Sequence, residues 1–264
     1  MKPILVTGAY GGMGSAACKL LRDMGYTVFA LDKRVLEAEE GIIPIQADIT
    51  SEDSVKAALA SVGETTDSLY AILHFAGMYM LDSLVEISEE NFRTIFDVNL
   101  RGAFLINKTF LPMLKEGSRI LIVTSELAPL DPLPFTGIYA VTKAALDKYA
   151  YSLRMELQLL GITVSVLRAG AVKTQMLGVS TNALDRFCSE TKLYSCNAAR
   201  FKRIVESVEA RNIPPEKIAQ KAIRILKKNN PRFEYSINRN PLLLLLNALP
   251  KRLQLFSIKI ILKP

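Results

Sequence analysis

The chain has 264 residues, half of them apolar, with one histidine and three cysteines. That length can bury a sizeable core. A lone His74 excludes multi-histidine metal chemistry, no metal site is expected, and Cys18, Cys188 and Cys196, with no CxxC pair, argue against a disulfide framework and for a reducing, cytoplasmic setting. The net charge of +7 is unevenly placed: residues 1–199 carry 18 basic against 22 acidic side chains, and residues 200–264 carry 15 against 4. A basic C-terminal quarter suits a membrane surface, an acidic substrate or nucleic acid. Its cations lack interleaved aromatics and any recognised motif, which leaves nucleic acid little support.

In chain order, "MKPILVTGAY" has too short an apolar run for a signal peptide and meets Gly8 at once, so it reads as a first strand over 3–7. A helix follows over 13–25 and stops at Gly25. Strands are expected over 26–32 and 41–48. A helix over 50–62 takes Thr50 as N-cap, with Asp53 three residues on. A buried strand over 68–77 leads to one long helix over 88–115, capped by Ser88. Then come a strand over 118–125, a helix over 137–160 and a strand over 162–170. This alternation predicts an α/β fold: a parallel sheet with helices on both faces. No repeat or linker divides it, so one domain over about 1–240 is expected, followed by an appendage over 241–264.

Between the first strand and the first helix lies "VTGAYGGMGSAA", in which Gly8, Gly12 and Gly14 form G-x-x-x-G-x-G. Glycines there let the backbone turn tightly and approach a ligand, and the helix start offers N–H groups to a pyrophosphate, which reads as dinucleotide binding. Asp32 closes the second strand, where a carboxylate accepts from the adenosine ribose hydroxyls and repels a 2′-phosphate. That favours NAD, although Lys33 and Arg34 follow and could tolerate the phosphate of NADP. Asp48 reads equally as an adenine contact or a loop acid. Tyr139 and Lys143, four apart, share one helix face.

The ordered signatures "TGAYGGMG" (7–14), Asp48, "HFAG" (74–77), "VNLRGAF" (98–104) and Ser125 followed by "YAVTK" (139–143) resemble the short-chain dehydrogenase/reductase family. The resemblance spans residues 5–175. It implies a Rossmann-type doubly wound sheet and an NAD- or NADP-dependent oxidoreductase. It also implies a catalytic set of Asn99, Ser125, Tyr139 and Lys143, with Asn99 holding a water in a proton relay to Lys143. Met13, Ala76, Gly77 and Thr174 would join Gly8, Gly12, Gly14, Asp32 and Asp48 in the cofactor site, and Lys143 would hold the nicotinamide ribose. A phenol has a pKa near 10, so the Lys143 ammonium is expected to lower that of Tyr139 and make it a better acid/base. Ser125 would hydrogen-bond the substrate oxygen.

Three places depart from the family pattern. The family's "NNAG" is "HFAG" here, with His74 and Phe75 in place of two asparagines, and His74 reads as a sheet-stabilising residue. Ala169–Gly170 replaces Pro-Gly. Glu126 follows Ser125 where a small neutral residue is usual, and could affect substrate choice or face solvent.

The stretch 175–212 reads as the substrate lid. Met176, Leu177, Leu184 and Phe187 could line an apolar pocket or pack the lid's own core. The expected substrate is a hydrophobic secondary alcohol or ketone of hydroxysteroid, bile-acid or retinoid-like type. The alternatives are an NADPH-dependent 3-ketoacyl thioester reductase and a non-catalytic cofactor-binding protein. The resemblance implies a homodimer or homotetramer. In "NPLLLLLNALPKRLQLFSIKIILKP", Pro250, Lys251 and Arg252 interrupt the apolar run, so a spanning helix is not expected. Arg252, Lys259 and Lys263 fall in one stripe, as in a cationic helix lying on a membrane, and packing on the lid or on a partner subunit is the other reading.

Overall fold

The computed structural model describes residues 2–34, 36–209 and 211–263, with the backbone alone for residues 175–182, 199 and 206–209. Seven parallel strands form one sheet. They are β1 (Pro3–Thr7), β2 (Thr27–Asp32), β3 (Ile42–Gln46), β4 (Leu69–His74), β5 (Leu114–Ser125), β6 (Thr163–Ala169) and β7 (Glu234–Ile237), in the order β3-β2-β1-β4-β5-β6-β7. The sheet is built outward in both directions from β1 and β4, which makes their boundary the switch point where α/β proteins bind ligands. The near-continuous apolar sequences of β1, β2 and β4 suit strands covered on both faces. Pro44, which cannot donate to a ladder, sits on the edge strand β3, where that costs nothing.

One core lies between the sheet and α2 (Glu52–Gly63), α4 (Gly102–Phe110) and α5 (Gly137–Leu157), around Phe29, Phe110, Ile122 and Leu146. The other lies beneath α1 (Gly12–Asp23) and α8 (Pro215–Leu226), around Leu21, Val28, Leu73 and Ile223. The basic stretch "EKIAQKAIRILKK" is therefore only half a solvated face, because Ile218, Ala219, Ala222 and Ile223 are buried.

The structure corrects three local expectations and adds a strand. The helix over 88–115 is broken into α3 (Glu89–Phe96), a π-helical turn (Asp97–Arg101), α4 and a short 3-10 turn (Leu111–Met113), after which β5 starts four residues early. Ser88 does cap α3, accepting from Asn91 N at 3.1 Å. The cap of α2 is Ser51, not Thr50: the Thr50 hydroxyl donates to Asp48 Oδ1 at 2.6 Å, and Ser51 Oγ accepts from Ser54 N. Finally, β7 arises from "EYSI", a segment without an assigned role in the sequence reading.

The lid comprises α6 (Gln175–Glu190) and α7 (Ser195–Glu209), and the C-terminal segment forms α9 (Pro241–Ala248) and α10 (Lys251–Leu262). Leu184 and Phe187 pack with Ala198 and Phe201 of the lid and with Leu81 and Phe135 outside it, so they seat the lid on the rest of the fold. The side chains of Met176 and Leu177 lie outside the described residues.

Candidate active site

The strand ends converge on two adjoining cavities. The larger, about 640 Å³, runs along the glycine turn and is lined by Gly8, Gly12, Met13, Gly14, Asp32, Asp48, Ala76, Gly77 and Thr174 among others. The second, about 220 Å³, is walled by Ser125, Glu126, Tyr139, Leu133, Phe201 and Leu243 among others. Met13, Tyr79 and Thr174 line both, so they form the boundary between the two spaces.

The glycine turn is shaped for close approach. Gly8 has φ +66, and a Cβ there would stand 2.5 Å from Ala76 N; one on Gly14 would stand 2.0 Å from Gly8 O. A Cβ on Gly12 would press on Thr174 Cγ2 at 2.7 Å. The start of α1 carries neither a side-chain cap nor an acidic residue in its first turn, which leaves its N–H groups and positive dipole end for an anion. These residues fit a dinucleotide pyrophosphate.

Asp32 is fixed at the far end of the cleft. Its Oδ2 accepts from Tyr10 N at 3.0 Å and its Oδ1 from Lys33 N at 2.8 Å. Asp48 accepts from Thr50 and pairs with Lys33 Nζ at 2.9 Å. The Thr50 hydroxyl, then Lys33, hold its carboxyl down at about 2. Asp48 thus serves as the loop's anchor while also lining the cleft, and it engages one of the two cations that could have met a 2′-phosphate.

In the wall of the second cavity, Ser125 ends β5, where the sheet's register with β6 places it opposite Ala169. The Tyr139 hydroxyl stands beside Ser125, which eases its ionisation. Lys143 is buried one turn on, its Nζ 5.7 Å from the centre of the Tyr139 ring. Asn99 lies in the π-helical turn, a rare distortion that re-aims side chains at functional sites. Its Oδ1 accepts from Met78 N at 2.8 Å, and its Nδ2 donates to Met78 O and to Thr142 Oγ1, each at 3.0 Å. A Cβ on Gly77 would come within 3.1 Å of Lys143 Nζ and 3.2 Å of Asn99 Oδ1, a tight fit that would press on both groups. The four residues are brought together, but the side chain of Asn99 is committed to the Met78 backbone and to Thr142.

The expected electrostatic effect of Lys143 on Tyr139 is not what the folded chain produces. Burial pushes the phenol up to about 12, with Ser125 acting in the opposite direction. Burial also pushes the Lys143 ammonium down to about 8. Each charge is costly in this enclosure, and desolvation is the leading influence on both groups.

His74 is buried, its Nε2 2.9 Å from Asn107 Oδ1, beneath the site rather than in it. Glu126 neither faces solvent nor stands idle: it is buried in the wall of the second cavity, and its Oε2 accepts from Asn240 N at 2.6 Å. Gly170, in the altered Ala-Gly pair, is needed there because a Cβ would fall 1.9 Å from Asn238 O.

A family model described as short chain dehydrogenase matches residues 2–185. The chain belongs to the short-chain dehydrogenase family. It is 34% identical over 189 residues to estradiol 17-beta-dehydrogenase 2 of Mus musculus, a match covering 67% of the chain and 50% of the mouse protein. It thus spans about half the length of that relative. It is 24% identical to 3-ketodihydrosphingosine reductase of Bacteroides thetaiotaomicron, with 97% of the chain and 96% of that protein covered. Among solved structures, a short chain dehydrogenase from Burkholderia cenocepacia J2315 in complex with NADP superposes with a TM-score of 0.76 at 20% identity, over 100% of both chains.

Sequence reasoning did not find Tyr79, Leu133, Phe201 or Leu243 as cavity walls. Tyr79 packs against Tyr139 with ring centres 4.9 Å apart. Its position two residues after "HFAG" was the only available signal; the others come from segments distant along the chain.

Proposed function

We propose that this dehydrogenase transfers a hydride between a nicotinamide dinucleotide and a hydrophobic secondary alcohol or ketone. The supporting observation is the shared wall: a glycine-floored cleft and an apolar cavity meet at Met13, Tyr79 and Thr174, and Tyr139 and Ser125 line the apolar side. The cofactor, when bound, supplies or takes up the hydride. The chain handles the proton. In reduction, Tyr139 Oη donates it to the carbonyl oxygen as the carbinol forms; in oxidation, the same oxygen takes it back. Ser125 Oγ donates a hydrogen bond to the substrate oxygen and stabilises charge developing there. Lys143 supplies the neighbouring positive charge. Asn99 acts by position, holding the Gly77–Met78 backbone and, through Thr142, the helix that carries Tyr139 and Lys143. Asp32 and the Lys33–Asp48 pair support NAD over NADP.

The apolar walls of the second cavity favour a substrate with little charge. Relatives named for estradiol and for 3-ketodihydrosphingosine support the same class, since both molecules are largely hydrocarbon and carry hydroxyl or keto groups. Tyr139→Phe is expected to lower kcat by about a thousandfold or more while leaving NADH binding, read by fluorescence, unchanged. A panel of steroids, long-chain ketones and 3-ketoacyl thioesters with each cofactor then reads the substrate class. Wild-type turnover in the variant would remove Tyr139 from the chemistry, and a preference for the thioester with NADPH would replace the substrate reading.

A further inference from the structure

The C-terminal segment has two unlike sides. Inward, Leu243 of α9 reaches the catalytic cavity, and Asn247 Oδ1 accepts from Asp131 N at 2.9 Å. Lys251 pairs with Asp131, and Leu262 packs on the lid core while its carbonyl accepts from Asn197 Nδ2 at 2.7 Å. These contacts hold α9 and α10 across the lid as a hood. Outward, large apolar side chains stand in solvent: Leu242 and Leu245 on α9, and Leu253, Leu255, Phe256, Ile260 and Ile261 on α10. Leu245 is 65% exposed, Leu255 68% and Phe256 60%. Residues of this kind scattered singly need no explanation, but seven concentrated on two consecutive short helices do.

Charge identifies what covers them. Residues 235–264 contain Arg239, Lys251, Arg252, Lys259 and Lys263 and no acidic residue. On α10, Arg252 and Lys259 are seven apart, so both lie on the outward side beside Phe256. A second copy of the hood would set like charges against each other. A surface of anionic headgroups over hydrocarbon matches both the cations and the leucines. No helix among the described residues is long and apolar enough to cross a membrane, so contact would be from one side.

We infer that the outer face of α9 and α10 docks the enzyme on an anionic lipid bilayer. This holds whichever alcohol or ketone the active site takes. The test is sedimentation of the full chain with vesicles of phosphatidylcholine alone or mixed with phosphatidylglycerol. Binding to the mixed vesicles is expected to exceed binding to the neutral ones and to weaken as salt screens the charges. The double variant Leu255→Glu and Phe256→Glu alters only exposed positions. It is expected to reduce vesicle partition about tenfold or more with NADH binding unchanged. Failure to sediment with either vesicle, or equal partition of variant and wild type, would overturn the inference. So would a concentration-dependent self-association that the double variant abolishes, which would assign the face to a second copy.

Discussion

At the scale of single residues, enclosure decides the ionisation behaviour of this protein. Tyr139 and Lys143 were legible in the sequence because a four-residue spacing places them on one helix face. The direction of their shifts was not, because burial is a property of the assembled fold. His74 shows the same effect away from the reacting centre. Burial pushes its imidazole from 6.5 down to about 4, with the Asn107 contact opposing. The unfolded chain therefore binds a proton that the folded chain refuses between those values. Stability should fall as pH drops from about 6.5 to about 4 and then level, by at most about 3 kcal/mol. His74→Gln can keep a partner for Asn107 but cannot titrate. Urea unfolding of the two proteins across this pH range should give a wild-type-minus-variant difference with that slope. A flat difference would remove His74 as its source.

At the scale of elements, α5 carries the reactive pair and is fixed to the sheet by a buried ion pair. Arg168 Nη2 of β6 lies 2.7 Å from Asp147 Oδ2, and Asp147 Oδ1 also accepts from Thr124 on β5. Tyr139, Lys143 and Asp147 follow one another at four-residue intervals, so the ion pair and the proton donor share one face. Among the described residues, Asp147→Ala would leave Arg168 paired with Glu234 alone, at 2.6 Å. Breaking such a pair is expected to cost about 3 kcal/mol, which thermal unfolding would read as a fall of roughly 10 °C. A change of a degree or two would mean that apolar packing alone seats the helix. The π-helical turn was illegible for a different reason. A single i→i+5 step leaves the apolar periodicity on either side nearly intact, so 88–115 read as one helix. Ser51 replaced Thr50 as cap because Asp48 had already engaged the Thr50 hydroxyl, a competition invisible to a one-residue rule.

At the scale of the whole molecule, strand–helix alternation and the glycine turn made the sheet and the cofactor cleft legible, since both depend on short-range pattern. The substrate cavity was not, since Leu133, Phe201 and Leu243 meet only after the chain has closed on itself. The hood over that cavity is expected to matter for binding. Removing residues 241–264 takes away Leu243 and the contacts to Asp131 and Asn197. KM for a hydrophobic substrate should rise about tenfold, as expected for losing one to two buried apolar contacts, with the NADH dissociation constant unchanged. Steady-state kinetics on the truncated chain would measure both, and an unaltered KM would place the substrate elsewhere.

Ser125 and Glu126 are consecutive residues. The first meets the Tyr139 hydroxyl; the second grips the backbone of Asn240 at the root of the hood. Reactive oxygen and outer rim are thus joined through one peptide link, braced by Gly170 where no side chain fits. A tug on the rim is felt at the serine, so turnover should register what the outer helices rest upon.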